Sequence, residues 1–305
     1  MAIWPDAWTP RRSVRRPSAH VAVLGPQHAP QVMDLCAADP AATVFVASRV
    51  REGVLQVRGH VLGWLVGGRL RAMVLCGANV VPVGVDEESV GPLAEHVESR
   101  RALSSSVFGT ATEVGLLWDR LRPLWGPARD ERMDQWSMVT STRPSSLGVQ
   151  ADPRVRPARP HEVDLLYPAG AAMFTEEIGY APYQGSPARY RAGFVQLVAQ
   201  GRSFVVIEDG RVVFKADVGS VALGVAQVQG VWTHPDLRGR GLATGAMAGV
   251  VEHLLTHGLP GTTPGAPPEP VGTVHLYVND YNVGARRVYE RIGMRRVGTF
   301  ATVIL

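Results

Sequence analysis

The segment Val231-Trp232-Thr233-His234-Pro235-Asp236-Leu237-Arg238-Gly239-Arg240-Gly241-Leu242-Ala243-Thr244 constrains this chain more than any other stretch. It reads as a strand that runs through a glycine-punctuated turn directly into a helix. The first N–H groups of a helix have no intrahelical acceptor, and the aligned peptide dipoles make that end partly positive. An anion settles there readily. Gly239 and Gly241 can take left-handed backbone angles that bring consecutive N–H groups round one oxygen, and Arg238 and Arg240 add charge at the rim. The helix is marked by Leu242/Ala243, Ala246/Met247, Val250/Val251 and Leu254/Leu255, a stripe repeating every four residues, and it stops at Gly258 and Pro260. Gly245 and Gly249 would let it approach a neighbour closely. Upstream, Val221 to Thr233 is Val-rich and free of proline, and predicts one largely buried strand.

Two familiar phosphate turns fit this loop badly. A P-loop needs Lys then Ser/Thr after its last glycine, and here Leu242 and Ala243 follow. A dinucleotide-binding turn wants an acidic residue at the end of the next strand about twenty positions on, whereas the next strand here follows a long proline-rich loop and ends in Asn279 and Asp280. Taken alone, an Arg/Gly turn is also an ordinary way to join a strand to a helix.

A second constellation separates these readings. Thr273 to Val278 alternates as a strand does, and Asn279-Asp280-Tyr281-Asn282 leads into a helix from Val283 to Arg291 with Gly293 beyond its end. The ordered pair Arg238-x-x-Gly241-x-Ala243 and Asn282-x-x-Ala285-x-x-x-Tyr289-Glu290-x-x-Gly293-Met294 resembles the paired signatures of the GNAT (GCN5-related) N-acetyltransferases, over about residues 154 to 305. At finer grain, the stretches 214–219, 227–232 and 300–305 resemble an actinobacterial-type subgroup with an N-terminal domain of unknown function.

Ser141 to Pro160 carries Pro144, Pro153, Pro157 and Pro160 and divides two patterned regions. We expect a disordered basic tail at 1–19 carrying Arg11, Arg12, Arg15 and Arg16, a first domain at 20–140, a linker at 141–153 and a second domain at 154–305. In the first half, strands at 20–24, 61–67, 70–77, 78–85 and 104–109 and helices at 29–38, 89–100 and 113–124 follow the order of the second, with a closing segment near 135–140. The expected fold is therefore α/β with mixed sheets (α+β in detail), a tandem pair of GNAT-like domains of which the first is degenerate. Where the phosphate turn would stand it has Asp86-Glu87-Glu88-Ser89, residues that suit a helix N-terminus but repel a pyrophosphate.

The resemblance implies an acetyl-CoA-dependent N-acetyltransferase acting on an amine of a small molecule or a protein, with acetyl-CoA as cosubstrate and no metal. It assigns coenzyme contacts to Val231, Trp232, Thr233, Arg238, Gly239, Arg240, Gly241, Leu242, Ala243, Thr244 and Asn282, with the Val231 backbone N–H or its neighbour as oxyanion donor. Tyr289 takes the place of the family's acid for the leaving sulfur, its other reading being a core tyrosine. Glu176 and Glu177 fall where the family's acceptor loop lies, as amine contacts or as plain surface carboxylates. Some members carry a carboxylate on the fourth strand, but Val221 to Trp232 offers only Gln227 and Gln229. That gap keeps a second function in view, an acyl-CoA-binding regulatory module without turnover.

The remaining features bound the reading without sharpening it. A net charge of +4 suits coenzyme A as well as nucleic acid, and no helix carries Arg/Lys along one face, so nucleic acid is not an expected partner. No apolar run is long enough for a membrane span and the first twenty residues have no secretory h-region, so a cytoplasmic protein is expected. Cys36 and Cys76 fall on apolar elements and predict buried free thiols. Oligomeric state is not written in the sequence.

Overall fold

The computed structural model describes residues 18–261 and 266–305, so the expected N-terminal tail with its arginines falls almost wholly outside the described residues. The first half runs β1 (Ala19–Val23), α1 (Ala29–Ala37), α2 (Pro40–Arg51), β2 (Val61–Val66), β3 (Arg69–Leu75), β4 (Asn79–Val83), α3 (Val90–Val97), β5 (Ser106–Thr110), α4 (Ala111–Trp125) and β6 (Asp130–Thr140). The second runs β7 (Arg156–Pro157), α5 (Val163–Ile178), α6 (Ala188–Ala199), β8 (Ser203–Glu208), β9 (Arg211–Ala222), β10 (Val225–Thr233), α7 (Leu242–His257), β11 (Thr273–Asn279), α8 (Val283–Arg291) and β12 (Arg295–Ile304).

Two corrections to the sequence reading concern this list. The strand expected over 221–233 is two strands: a tight turn at Leu223 and Gly224, both at positive φ (54° and 72°), separates β9 from β10. Two helices were missed. α2 is rich in Val, which reads locally as strand, yet it opens on Asp39, whose carboxylate accepts from the Ala42 N–H at 3.0 Å, with Pro40 at its first position. In α6, Tyr190, Phe194 and Val198 recur every four residues and turn one face inward. Elsewhere a turn at Asp209 and Gly210 (φ 47° and 71°) joins β8 to β9.

All twelve strands form one mixed sheet in the order β1-β2-β3-β4-β5-β12-β6-β11-β10-β9-β8-β7. Its middle is an exchange. β12, from the second half, lies antiparallel to β5 of the first, from Phe300 opposite Thr110 to Ile304 opposite Ser106. β6, from the first half, lies antiparallel to β11 of the second, from Val274 opposite Thr140 to Asn279 opposite Gln135. The exchanged strands pair with each other at the centre. The cores follow: Ala301 and Val303 pack among the residues of α3 and α4, and Met138 packs with those of α7 and α8. α2 belongs to a third cluster that includes Ala222 and Val225 of the second half.

The segment after β6 is packed as well. Asp152 N–H donates to the Gly245 carbonyl of α7 at 2.9 Å, and a Cβ on Gly249 would stand 3.0 Å from Val155. The neighbour that Gly245 and Gly249 admit is thus the connecting chain itself. Ser145 adds a hydrogen bond from its hydroxyl to Glu252 at 2.8 Å.

Exchange makes a prediction about cutting the chain. If the backbone is interrupted between Ser141 and Thr142, the two pieces expressed together should co-purify, because each supplies a central strand to the other. Residues 142–305 alone should be insoluble or aggregate, with the β11 edge and the apolar faces of α7 and α8 short of their β6 cover. Pull-down of an untagged first piece by a tagged second piece checks this, and two independently soluble monomers would contradict it.

Candidate functional site

β10 and β11 are parallel partners only from Val225 opposite Thr273 to Gln227 opposite His275; beyond that no pairing joins them. The strands part, and the wedge between them opens toward the α7 N-terminus. On its other side β10 stays paired to β9 but with a bulge: Gln229 faces Asp217, Trp232 faces Lys215, and Gly230 and Val231 share the space of one residue. Gly230 sits at φ 59°. A Cβ there would meet the Asp217 carboxylate at 3.0 Å and the Lys215 ammonium at 3.1 Å.

The turn that follows is built for an anion. Gly239 and Gly241 both take positive φ (73° and 83°), and nothing lies within 4 Å of where their side chains would be. Gly241 is the N-cap of α7, with no side-chain cap and no acidic residue in the first turn. Among the described residues the N–H groups of Gly239, Arg240, Gly241, Leu242 and Ala243 find no acceptor, while that of Thr244 already donates to Gly241 at 3.1 Å. Such a row of free donors at a helix end suits a phosphate oxygen set. Arg240 is exposed. Arg238 is committed elsewhere: its guanidinium forks onto both oxygens of Glu176 (2.6 and 2.7 Å), and its Nε donates to the Thr233 carbonyl at 3.0 Å. That fork holds the Glu176 carboxyl below the usual carboxylate range. Two residues with separate expected roles are therefore one another's partners.

Val231 and Thr233 are half-buried on the wedge strand. The Trp232 side chain turns to the α5 side, buried with Ala169 and Val212 beside Met173 and Ile207, and its indole N–H is unpartnered among the described residues. Only its backbone faces the wedge strand's edge. Asn282 caps α8, its Oδ1 accepting from the Ala285 N–H at 3.1 Å, which leaves its amide NH₂ free of that bond.

Tyr289 is buried against α7 and β11, and burial together with the negative charge of Glu177 pushes its phenol above the ordinary value. No protein hydrogen bond contributes to that shift. Glu177 is accessible to solvent yet closely surrounded, as a group on a concave wall is, and this desolvation raises its carboxyl above the usual range despite Arg132 and Lys215 nearby. Burial, with the charge of Glu177 behind it, also raises the phenol of Tyr277. The Glu177 charge is thus felt on β11 and on α8 from the end of α5.

The first half supplies part of this wall. Arg132 of β6 donates to the Glu177 carbonyl at 2.8 Å, and Arg129 lies 4.0 Å from the ring of Tyr180. Nothing local in the sequence signals these contacts, because they depend on the strand exchange. In its own equivalent turn the first half is closed: the Asp86 carboxylate accepts from the Ser89 hydroxyl at 2.6 Å and from the Ser89 N–H at 2.9 Å, which holds the carboxyl low, and Ser89 Oγ accepts from the Asp86 N–H at 3.0 Å. Fourth-strand Gln227 is locked in the core beside His275, whose imidazole burial pushes down to about 3. A cavity of about 470 Å³ lies apart from the wedge, between the start of α2 and strands β6, β11 and β12. Among the described residues no three His, Cys, Asp or Glu side chains gather as a metal site would need, no helix is long and apolar enough to cross a membrane, and both cysteines are buried and free.

Residues 154–295 match the family model of the acetyltransferase (GNAT) domain, and residues 59–166 match that of DUF4081, a domain of unknown function. No curated protein matches the chain. Among solved structures it is similar to a GCN5-related N-acetyltransferase from Sphaerobacter thermophilus (17% identity, 94% of this chain and 95% of that one, TM-score 0.60). It is similar also to a GNAT-family acetyltransferase from Colwellia psychrerythraea (12%, 93% and 99%, TM-score 0.54). A third is a tandem GNAT protein from the clavulanic acid biosynthesis pathway (14%, 94% and 98%, TM-score 0.54). At these identities the likeness is one of fold. The chain carries a GNAT domain behind a DUF4081 domain, in a GNAT-type mixed α/β fold.

Proposed function

We propose that this GNAT-domain protein transfers an acetyl group from acetyl-CoA to an amine. The observation that carries this reading is the row of unsatisfied N–H groups from Gly239 to Ala243, opening beside the wedge where β10 and β11 part. The cosubstrate supplies a thioester, a carbonyl already activated toward amines. The turn and Arg240 would hold its pyrophosphate, Val231 and Thr233 would pair with the pantetheine arm, and the Val231 N–H would face the charge that develops on the carbonyl oxygen. Trp232 contributes backbone only, Thr244 lies in the first turn of α7, and Asn282 stands at the start of α8.

The two carboxylates fall in the last turn of α5 rather than in the loop after it, and they divide their work. Glu176, held low by Arg238, fixes the end of α5 to the phosphate turn. Glu177, raised and accessible, meets the incoming ammonium and accepts a proton from it, so that a neutral nitrogen attacks. Replacing it should show both roles. Glu177→Gln should raise the KM for the amine about tenfold through loss of a charge-assisted contact, and leave acetyl-CoA affinity unchanged. In the parent the rate should climb with pH through a limb lying above the ordinary glutamate range, since the ionised carboxylate accumulates only there; the variant should lack that limb. An unchanged profile would remove Glu177 from the proton path.

The test of the whole reading is calorimetric titration with acetyl-CoA followed by a broad amine screen monitored by free-thiol release. Binding with turnover of any amine supports it. Binding without turnover would favour the regulatory module, for which the want of a carboxylate on β10 is the supporting feature. No binding sinks both. The first half, by this reading, is a GNAT-like unit that binds no coenzyme and shapes the acceptor wall through Arg129 and Arg132.

A further inference from the structure

Lys215 and Asp217 form an ion pair buried inside the sheet beneath the wedge, a costly arrangement that two apolar side chains would match in stability. Its wiring is complete. The Lys215 ammonium donates to Asp217 Oδ2 at 2.6 Å and to the Gly230 carbonyl at 2.8 Å, and lies 5.5 Å from the Phe194 ring. Asp217 Oδ1 accepts from the Ser203 hydroxyl. Every donor and acceptor points to one result, which is that the carbonyl of the bulge is tied down.

That carbonyl belongs to the peptide whose nitrogen is Val231. The described peptide bonds are all trans, so the C=O of Gly230 and the N–H of Val231 point in opposite directions. With the carbonyl held by the Lys215 ammonium, beside the Phe194 ring, the N–H points the other way, away from that ion pair. Glycine at 230 is what makes this possible: its φ of 59° disfavours side chains, and a Cβ would meet the ammonium and carboxylate themselves. We infer that Lys215, held by Asp217 and Ser203, is a positioning residue that aims the Val231 N–H at the thioester carbonyl. This deepens the reading of Val231 as oxyanion donor and rests on it.

The readout is the carbonyl itself, which needs no acceptor. Carbonyl-¹³C acetyl-CoA bound to the wild-type protein should show an infrared C=O band lowered from its free position, because a hydrogen bond polarises the group. The main variant is Lys215→Met/Asp217→Leu, which removes both charges and leaves none unpaired, with Lys215→Met beside it. In the double variant acetyl-CoA affinity should hold within about threefold, since the phosphate turn is untouched, while the band returns to the free position. Turnover on an amine found by screening should drop about 100-fold, the usual cost of one oxyanion donor. A band as low in the variant as in the wild type would overturn the positioning role with the proposed activity intact, and so would failure of both variants to fold, which would make the pair a folding device. Wild-type protein that does not bind acetyl-CoA would instead sink the activity.

Discussion

Gly241→Asp should abolish coenzyme binding in a protein that still folds. The substitution is chosen because aspartate is among the few residues that enter the left-handed region required here (φ 83°), at about 1–2 kcal/mol, and because its Cβ meets nothing within 4 Å. Aspartate is also a good helix N-cap, so its carboxylate would satisfy the α7 donors that glycine leaves free. The variant stabilises the helix end with the same N–H groups it denies to a pyrophosphate, and adds a like charge. Affinity for acetyl-CoA should fall more than about 100-fold, roughly 3 kcal/mol or more. Gly241→Asn, with the same shape and no charge, should lie between. Calorimetry on samples matched by circular dichroism decides, and undiminished affinity in a folded Gly241→Asp protein would remove the turn from the site.

Tyr289→Phe should lose catalysis and keep binding. Among the described residues the hydroxyl has no hydrogen-bond partner, so its removal leaves none of them stranded and stability should hold. The phenol, pushed above its usual value by burial and by Glu177, is a weaker acid than an ordinary tyrosine, whereas a thiol titrates at about 8.5. Full proton transfer to the departing sulfur is therefore uphill. Tyr289 is better suited to donate a hydrogen bond to the growing negative charge, while the proton lost by the amine replaces it on sulfur. Loss of that bond should lower kcat by about ten- to a thousandfold, roughly 1.4–4 kcal/mol, at unchanged acetyl-CoA affinity. A fully active variant would return Tyr289 to the role of a core residue.

What could be read without coordinates was local in origin. The strand, glycine turn and helix ending at Gly258 announce themselves through periodicity and punctuation within a few turns of chain, and the start of α8 at Asn282 does likewise. Asp86 and Ser89 announce a closed turn ahead of α3 in the same way. Lys215 and Asp217 did not, because two charged residues on alternate positions of a strand read as a solvent face until the sheet shows helices on that side. The pairing of Arg238 with Glu176 spans 62 residues and has no sequence signal. Nor had the strand exchange: β6 and β12 alternate as any strand does, and nothing in alternation names the neighbour. α6 could have been found, since Tyr190, Phe194 and Val198 keep helical spacing.

The central position of β12 also sets an order of events during synthesis. β5 is made early and holds an open edge of unpaired N–H and C=O groups until residues 295–304 exist to cover it. The first half therefore cannot finish folding as it leaves the ribosome; it must wait through the making of the second, and the closing strand then inserts between two strands already present. Pairings of such long range form slowly and leave aggregation-prone edges exposed meanwhile. Such a chain would gain more than most from a chaperone that shields β5, and slowed translation of the second half would lengthen its most vulnerable interval rather than help it fold.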